Sequence, residues 1–96
     1  MNCYFVAQIL IEDEAEYQKY FKGAGEIFEK YSGTYLAVDN NPEVLEGEWG
    51  YSRIVIICFP DEESLRQWYN SLEYQEILQY RLKAAKCDTL IVKALE

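Results

Sequence analysis

Two segments of this chain, residues 3–11 and 53–59, are apolar at successive positions, and this limits the folds open to it. Cys3 to Ile11 is rich in aromatic and β-branched residues and reads as a strand with two apolar faces. Phe5, Ala7, Ile9 and Ile11 share one face; Tyr4, Val6 and Leu10 share the other. Arg53-Ile54-Val55-Ile56-Ile57-Cys58-Phe59 repeats the pattern until Pro60 stops it. Antiparallel sheets usually leave one face wet and polar. These two strands need cover on both.

The rest of the chain supplies one layer of cover. After Glu12-Asp13-Glu14, the positions Tyr17, Tyr20, Phe21, Ala24, Phe28 and Tyr31 fall on one face of a 3.6-residue period, and Gly33 is expected to end that helix at C′. Thr34 to Val38 is a second strand, turned by Asp39-Asn40-Asn41-Pro42. Val44-Leu45 is expected as a short edge strand before the loop Gly47 to Ser52. Asp61 is a good N-cap for a helix carrying Leu65, Trp68 and Tyr69 inward. Asn70-Ser71 interrupts it, and Ser71 can cap a segment carrying Tyr74, Leu78, Arg81 or Leu82, and Ala85. Thr89 to Ala94 is the last strand.

The order is β-α-β-β-α-β, a ferredoxin-like α+β arrangement within one domain over residues 1–96. Its antiparallel sheet carries helices on one face only. The simplest cover for the other face is a second copy of the chain. A homodimer through Val6, Gln8, Ile54, Ile56 and Cys58 is therefore expected.

Composition removes several function classes. A net charge of −8 repels phosphate backbones and anionic lipid, which argues against nucleic-acid and membrane-surface roles. The apolar run from Ile54 to Phe59 is far too short to span a membrane, and Met1-Asn2-Cys3 shows no signal-peptide pattern. Three cysteines without CxxC spacing suggest reduced thiols in a cytoplasmic protein. Cys3 opens strand one, and Cys58 and Cys87 are expected towards its other end, out of disulfide reach. The absence of histidine removes Ser-His and Cys-His pairs and histidine-ligated zinc or haem; no metal or cofactor is expected.

Tyr17-xx-Tyr20, Gly33, Val44-Leu45-Glu46-Gly47-x-Trp49, Arg53, Phe59-Pro60 and Trp68-Tyr69-x-Ser71-x-Glu73-Tyr74-Gln75 together resemble domain-of-unknown-function family 1330. The resemblance covers nearly the whole chain and implies a dimeric α+β barrel, a ferredoxin-like protomer whose sheet packs on a partner's sheet. That superfamily includes cofactor-free monooxygenases, lactone isomerases and haem-binding dismutases, and a shared fold does not carry function across. The haem branch depends on a proximal histidine, which this chain lacks. Leu72 stands where members often have proline, and Cys58 where many have a carboxylate; the latter weakens any acid–base role at that strand position.

The candidate site residues are Arg53, Trp49, Tyr35, Tyr20 and Trp68, taken to line a cleft between sheet and helices. Arg53 is expected near the C-terminal end of helix one, around Tyr31, where it either meets the helix carbonyls or binds a ligand carboxylate. Trp68 and Tyr69, at helical spacing, read first as core. Trp49, in a loop, reads as a contact residue. Gln8 is a lone amide on an apolar face and must pair across the dimer or touch a ligand. Glu12-Asp13-Glu14 and Asp61-Glu62-Glu63 read as helix-start charges rather than acid pairs. Gly23-Ala24-Gly25 costs helix stability and marks either close packing or a gap for a ligand, packing being the simpler reading. The expected ligand is small, anionic and partly apolar. The alternative is a non-catalytic dimeric module, structural or regulatory.

Overall fold

In the computed structural model, which describes residues 1–95, the strand β1 (Cys3–Ile11) lies between β3 (Arg53–Phe59) and β4 (Ala85–Lys93), and β2 (Thr34–Asp39) pairs with the far side of β3. All pairings are antiparallel, in the order β2-β3-β1-β4. Helices α1 (Glu14–Glu29), α2 (Glu62–Tyr69) and α3 (Leu72–Ala84) complete a ferredoxin-like α+β fold. The interruption at Asn70-Ser71 splits the second helical layer in two.

Local chemistry sets these boundaries. Asp13, Asp61 and Ser71 are the N-caps, each accepting from the backbone N–H three residues on, so each satisfies one orphan donor of its helix. Leu72 takes N1 of α3, the position at which proline is tolerated. Helix α1 ends differently from expectation. Ser32, not Gly33, takes the left-handed conformation, with φ 66°. Gly33 is required for space instead: a Cβ there would lie 2.8 Å from Cε1 of Phe59 and 3.0 Å from Cδ1 of Phe28, both buried rings.

Two further strand expectations change. Val44-Leu45 forms no strand but an exposed loop. Strand β4 begins at Ala85 rather than Thr89, because pairing with β1 extends to Ile11. The helix-side face of the sheet is the core: Phe5, Ala7, Ile9, Val55, Ile57 and Phe59 are buried beneath Tyr17, Tyr20, Phe28, Leu65, Trp68 and Tyr74. Gly23 is a close-packing site, since a Cβ would meet Cδ1 of Ile77 on α3 at 2.5 Å. Gly25 faces only ordinary contacts with Phe28 and Tyr35, at 4.0 Å. No described helix is long and apolar enough to cross a membrane.

Candidate functional site

The antiparallel register decides which candidates meet. Arg53 pairs with Ile9, near the end of β1. Because α1 runs back from that end, Arg53 lies under the first turns of α1, not beside Tyr31 at its C-terminal end. Its guanidinium sits 4.3 Å from the ring centroid of Phe21 and 5.5 Å from that of Tyr17. Nη1 donates to Oδ1 of Asn40 at 2.9 Å, while Nε finds no acceptor among the described residues. Arg53 is 6% exposed, and no carboxylate among the described residues pairs with it. The role expected for it at the C-terminal carbonyls of α1 is therefore not the one it takes. Aromatic faces hold it instead.

Tyr20 and Tyr35 lie on this same side of the sheet. With Ile9, Tyr17, Phe21 and Val55 they line a cavity of about 10 Å³. The Tyr20 and Tyr74 hydroxyls share a hydrogen bond of 2.8 Å, and Nη2 of Arg81 reaches Tyr74 at 3.5 Å. Burial pushes the Tyr17 phenol up to about 12, against the pull of Arg53 and Arg81. Burial also raises Tyr20 and Tyr74 above the ordinary phenol value. At neutral pH these groups are hydrogen-bond donors and not bases. Arg81, Tyr17 and Tyr74 were not singled out as site residues. Helical spacing from Tyr74 and Leu78 fits Arg81 and Leu82 alike, and the structure turns Arg81 inward.

Trp68 does not join this group. It is fully buried among Phe5, Phe59 and Tyr74, with ring centroids 5.0, 5.2 and 4.2 Å away. Phe59 sits at the other end of β1, opposite Cys3, while Phe5 and Tyr74 reach from Trp68 towards the Tyr20 cavity, which Trp68 itself does not line. Trp68 is core.

Trp49 belongs to the opposite face of the sheet from Arg53. Its Nε1 donates to Oε1 of Gln8 at 3.1 Å, so the lone amide of β1 has one partner within its own chain. The loop is tied down further by Ser52 N–H to the Ile9 carbonyl at 2.8 Å and by the Tyr51 hydroxyl to Asp88. Around Trp49, the residues Pro42, Val44, Leu45 and Ile54 line an open depression of about 420 Å³. The remainder of this outer face, including Val6, Ile56 and Cys58, is half-buried, with Leu90 and Val92 exposed beside them.

The cysteines are free. Cys58 is not at the far end of β1 from Cys3 as expected: antiparallel pairing sets it opposite Tyr4. Cys3 points to the helices and Cys58 to the outer face, so alternation of side chains, not strand length, keeps them apart. Cys87, opposite Ile9, lies at the other end.

With this geometry in hand, the comparisons with known proteins are informative about fold. The family model described as Domain of unknown function (DUF1330) matches residues 2–95. No curated protein matches. Among solved structures, the RPA0582 protein of unknown function from Rhodopseudomonas palustris aligns with TM-score 0.82 at 16% identity, covering 99% of this chain and 83% of its own. SnoaB, a cofactor-independent oxygenase from Streptomyces nogalater, aligns with TM-score 0.73 at 14% identity, covering 99% and 94%. A dimeric ferredoxin-like protein of unknown function from Jannaschia sp. CCS1 aligns with TM-score 0.73 at 12% identity, covering 98% and 100%. At such identities the likeness is one of fold alone.

Proposed function

The chain belongs to the DUF1330 family, which carries no assigned activity, and from that premise we propose a homodimeric protein that binds a small, partly apolar acid between sheet and helices. One observation carries this reading. Arg53 is a buried cation with no acidic partner among the described residues, in a chain with seventeen acidic side chains. Arginine cannot shed its proton to relieve burial, and its fork fits a carboxylate. Tyr17 and Phe21 pack against its guanidinium, Tyr20 and Tyr35 line the small cavity beside those rings, and the phenols add donors. These groups hold an anion but offer no base, which favours binding over proton abstraction. Trp49, on the other face, has a different role, in the contact between protomers.

The dimer reading rests on the outer face. Val6, Gln8, Ile54, Ile56 and Cys58 are half-buried by their own chain, and a partner's sheet would bury the rest. The Jannaschia relative, described as dimeric, supports it. The free thiols fit a reducing, cytoplasmic compartment. The charge of −8 argues against nucleic acid and anionic membrane as partners. No cofactor is invoked.

A panel of small aromatic and aliphatic acids, followed by calorimetry and tryptophan fluorescence, tests the site. Arg53→Met should abolish binding while unfolding stays cooperative. The small volume inside favours a second reading, an aromatic-filled non-catalytic module. That reading takes over if no acid binds and Arg53→Met only lowers the melting temperature.

A further inference from the structure

We infer that the interior site has two anchors, with Arg53 and Arg81 holding the opposite ends of one short dicarboxylate beneath Tyr17. This rests on the small-acid reading of Arg53 and adds a second cation to it.

Arg81, in the last turn of α3, is 3% exposed. Its guanidinium lies 5.4 Å from the Tyr20 ring centroid, beside the Cys87 thiol, and its Nε has no acceptor among the described residues. A basic residue at a helix C-terminus often meets the last carbonyls, but the hydrogen bond found for Arg81 goes to the Tyr74 hydroxyl. The five ion pairs among the described residues use Lys19, Lys30, Arg66, Lys86 and Lys93, all at exposed positions, and neither buried arginine. Two guanidinium groups are thus buried on the helix side of the sheet, and neither pairs with a carboxylate of the described residues.

The sheet fixes their spacing. Ile9 pairs with Arg53 on one side and with Cys87 on the other, all three on the helix face. Strands about 4.8 Å apart put the backbones of Arg53 and Cys87 about 10 Å from each other. Arg81 stands over Cys87, and Tyr17, packed against Arg53 and within electrostatic reach of both cations, has a fully buried hydroxyl with no partner among the described residues. A dicarboxylate of about four to six carbons, with bonds of about 1.5 Å, spans this gap once each side chain reaches inward. The neighbouring cavity of about 10 Å³, lined by Tyr17, Tyr20, Phe21 and Tyr35 but by neither arginine, is far too small as it stands. Entry therefore requires Phe21, only half-buried and lying over Arg53, to swing aside.

Calorimetry of the unmodified protein with succinate, glutarate and adipate, each against butyrate, pentanoate and hexanoate, is the primary test. Dicarboxylates should bind about tenfold or more tighter, the worth of one added charge-assisted contact. Arg81→Met should erase that advantage, so that each dicarboxylate binds no tighter than the monocarboxylate of the same length, and Arg81→Lys should restore part of it. Equal affinity for the two series overturns the second anchor while the small-acid reading survives. Binding of neither series overturns both. The length series needs no variant, so a misfolded Arg81→Met leaves the test intact.

Discussion

The two faces of the sheet are built from the same strands and are nearly equal in apolar content, yet their fates differ. On the helix face, Phe5, Ala7, Ile9, Val55, Ile57 and Phe59 are buried under a nearly complete aromatic layer that also encloses two arginines. On the outer face, Tyr4, Val6, Ile54, Ile56 and Cys58 are only half-covered, and the polar groups Gln8 and Asp88 are engaged by Trp49 and Tyr51 of one loop. Alternation along a strand reports that a face seeks cover. It does not report whether the cover is the same chain or another.

The sharpest way to break the contrast is a charge on the outer face. Ile56→Glu should convert a sedimenting dimer to monomer or unfold it, since an unpaired charge buried in an apolar contact is among the most destabilising changes. If the outer face is merely solvated, the change should stay within about 0.5 kcal/mol and the parent protein should sediment as a monomer at micromolar concentration. Next in size is Trp68→Ala on the helix face. It should cost about 3–5 kcal/mol in urea unfolding, by lost burial and the cavity left behind. A loss below about 1 kcal/mol would mean the aromatic layer is looser than its geometry implies.

The smallest effect distinguishes the faces by pH. Tyr17 has a folded value of about 12 against an ordinary 10, so the folded state holds its proton more tightly than the unfolded chain. Its contribution is fully present below pH 10 and is lost as pH rises towards 12. Tyr20 and Tyr74 shift in the same direction. Alkaline titration followed by phenolate absorbance should show these helix-face tyrosines ionising together with unfolding. Gradual ionisation of every tyrosine before unfolding would contradict the sealed interior.

Most of the architecture was legible in the sequence because it rests on local rules. Period-two alternation set the faces of β1 and β3, period 3.6 set α1, and Asp61 and Ser71 marked caps that the backbone uses. What failed depended on direction and path. Strand parity placed Arg53 on the helix side correctly, but only the antiparallel register shows that it lies under the start of α1. The same register brings Cys58 beside the first residues of β1. No periodicity describes the course of residues 40–52, so the pattern does not reveal that Trp49 crosses to the outer face. The isolated Gln8 was the pointer to it, an amide that required a partner on its own side. Arg81 was visible as one of two neighbours competing for an inward position. Spacing alone allows either, and the fold buries Arg81 while Leu82 is 57% exposed.

The hydrogen bond from Arg53 ties the interior to Asn40, just beyond the end of β2. Asn40 opens the turn from which the chain crosses to Trp49, so one guanidinium serves both the interior and the start of the outer loop. Any acid that draws Arg53 towards the cavity competes with that turn. By reciprocity, a partner that fixes the loop must alter the interior's affinity for the acid by the same factor. In a dimer joined through the outer face, assembly and occupancy would then be thermodynamically linked through one side chain.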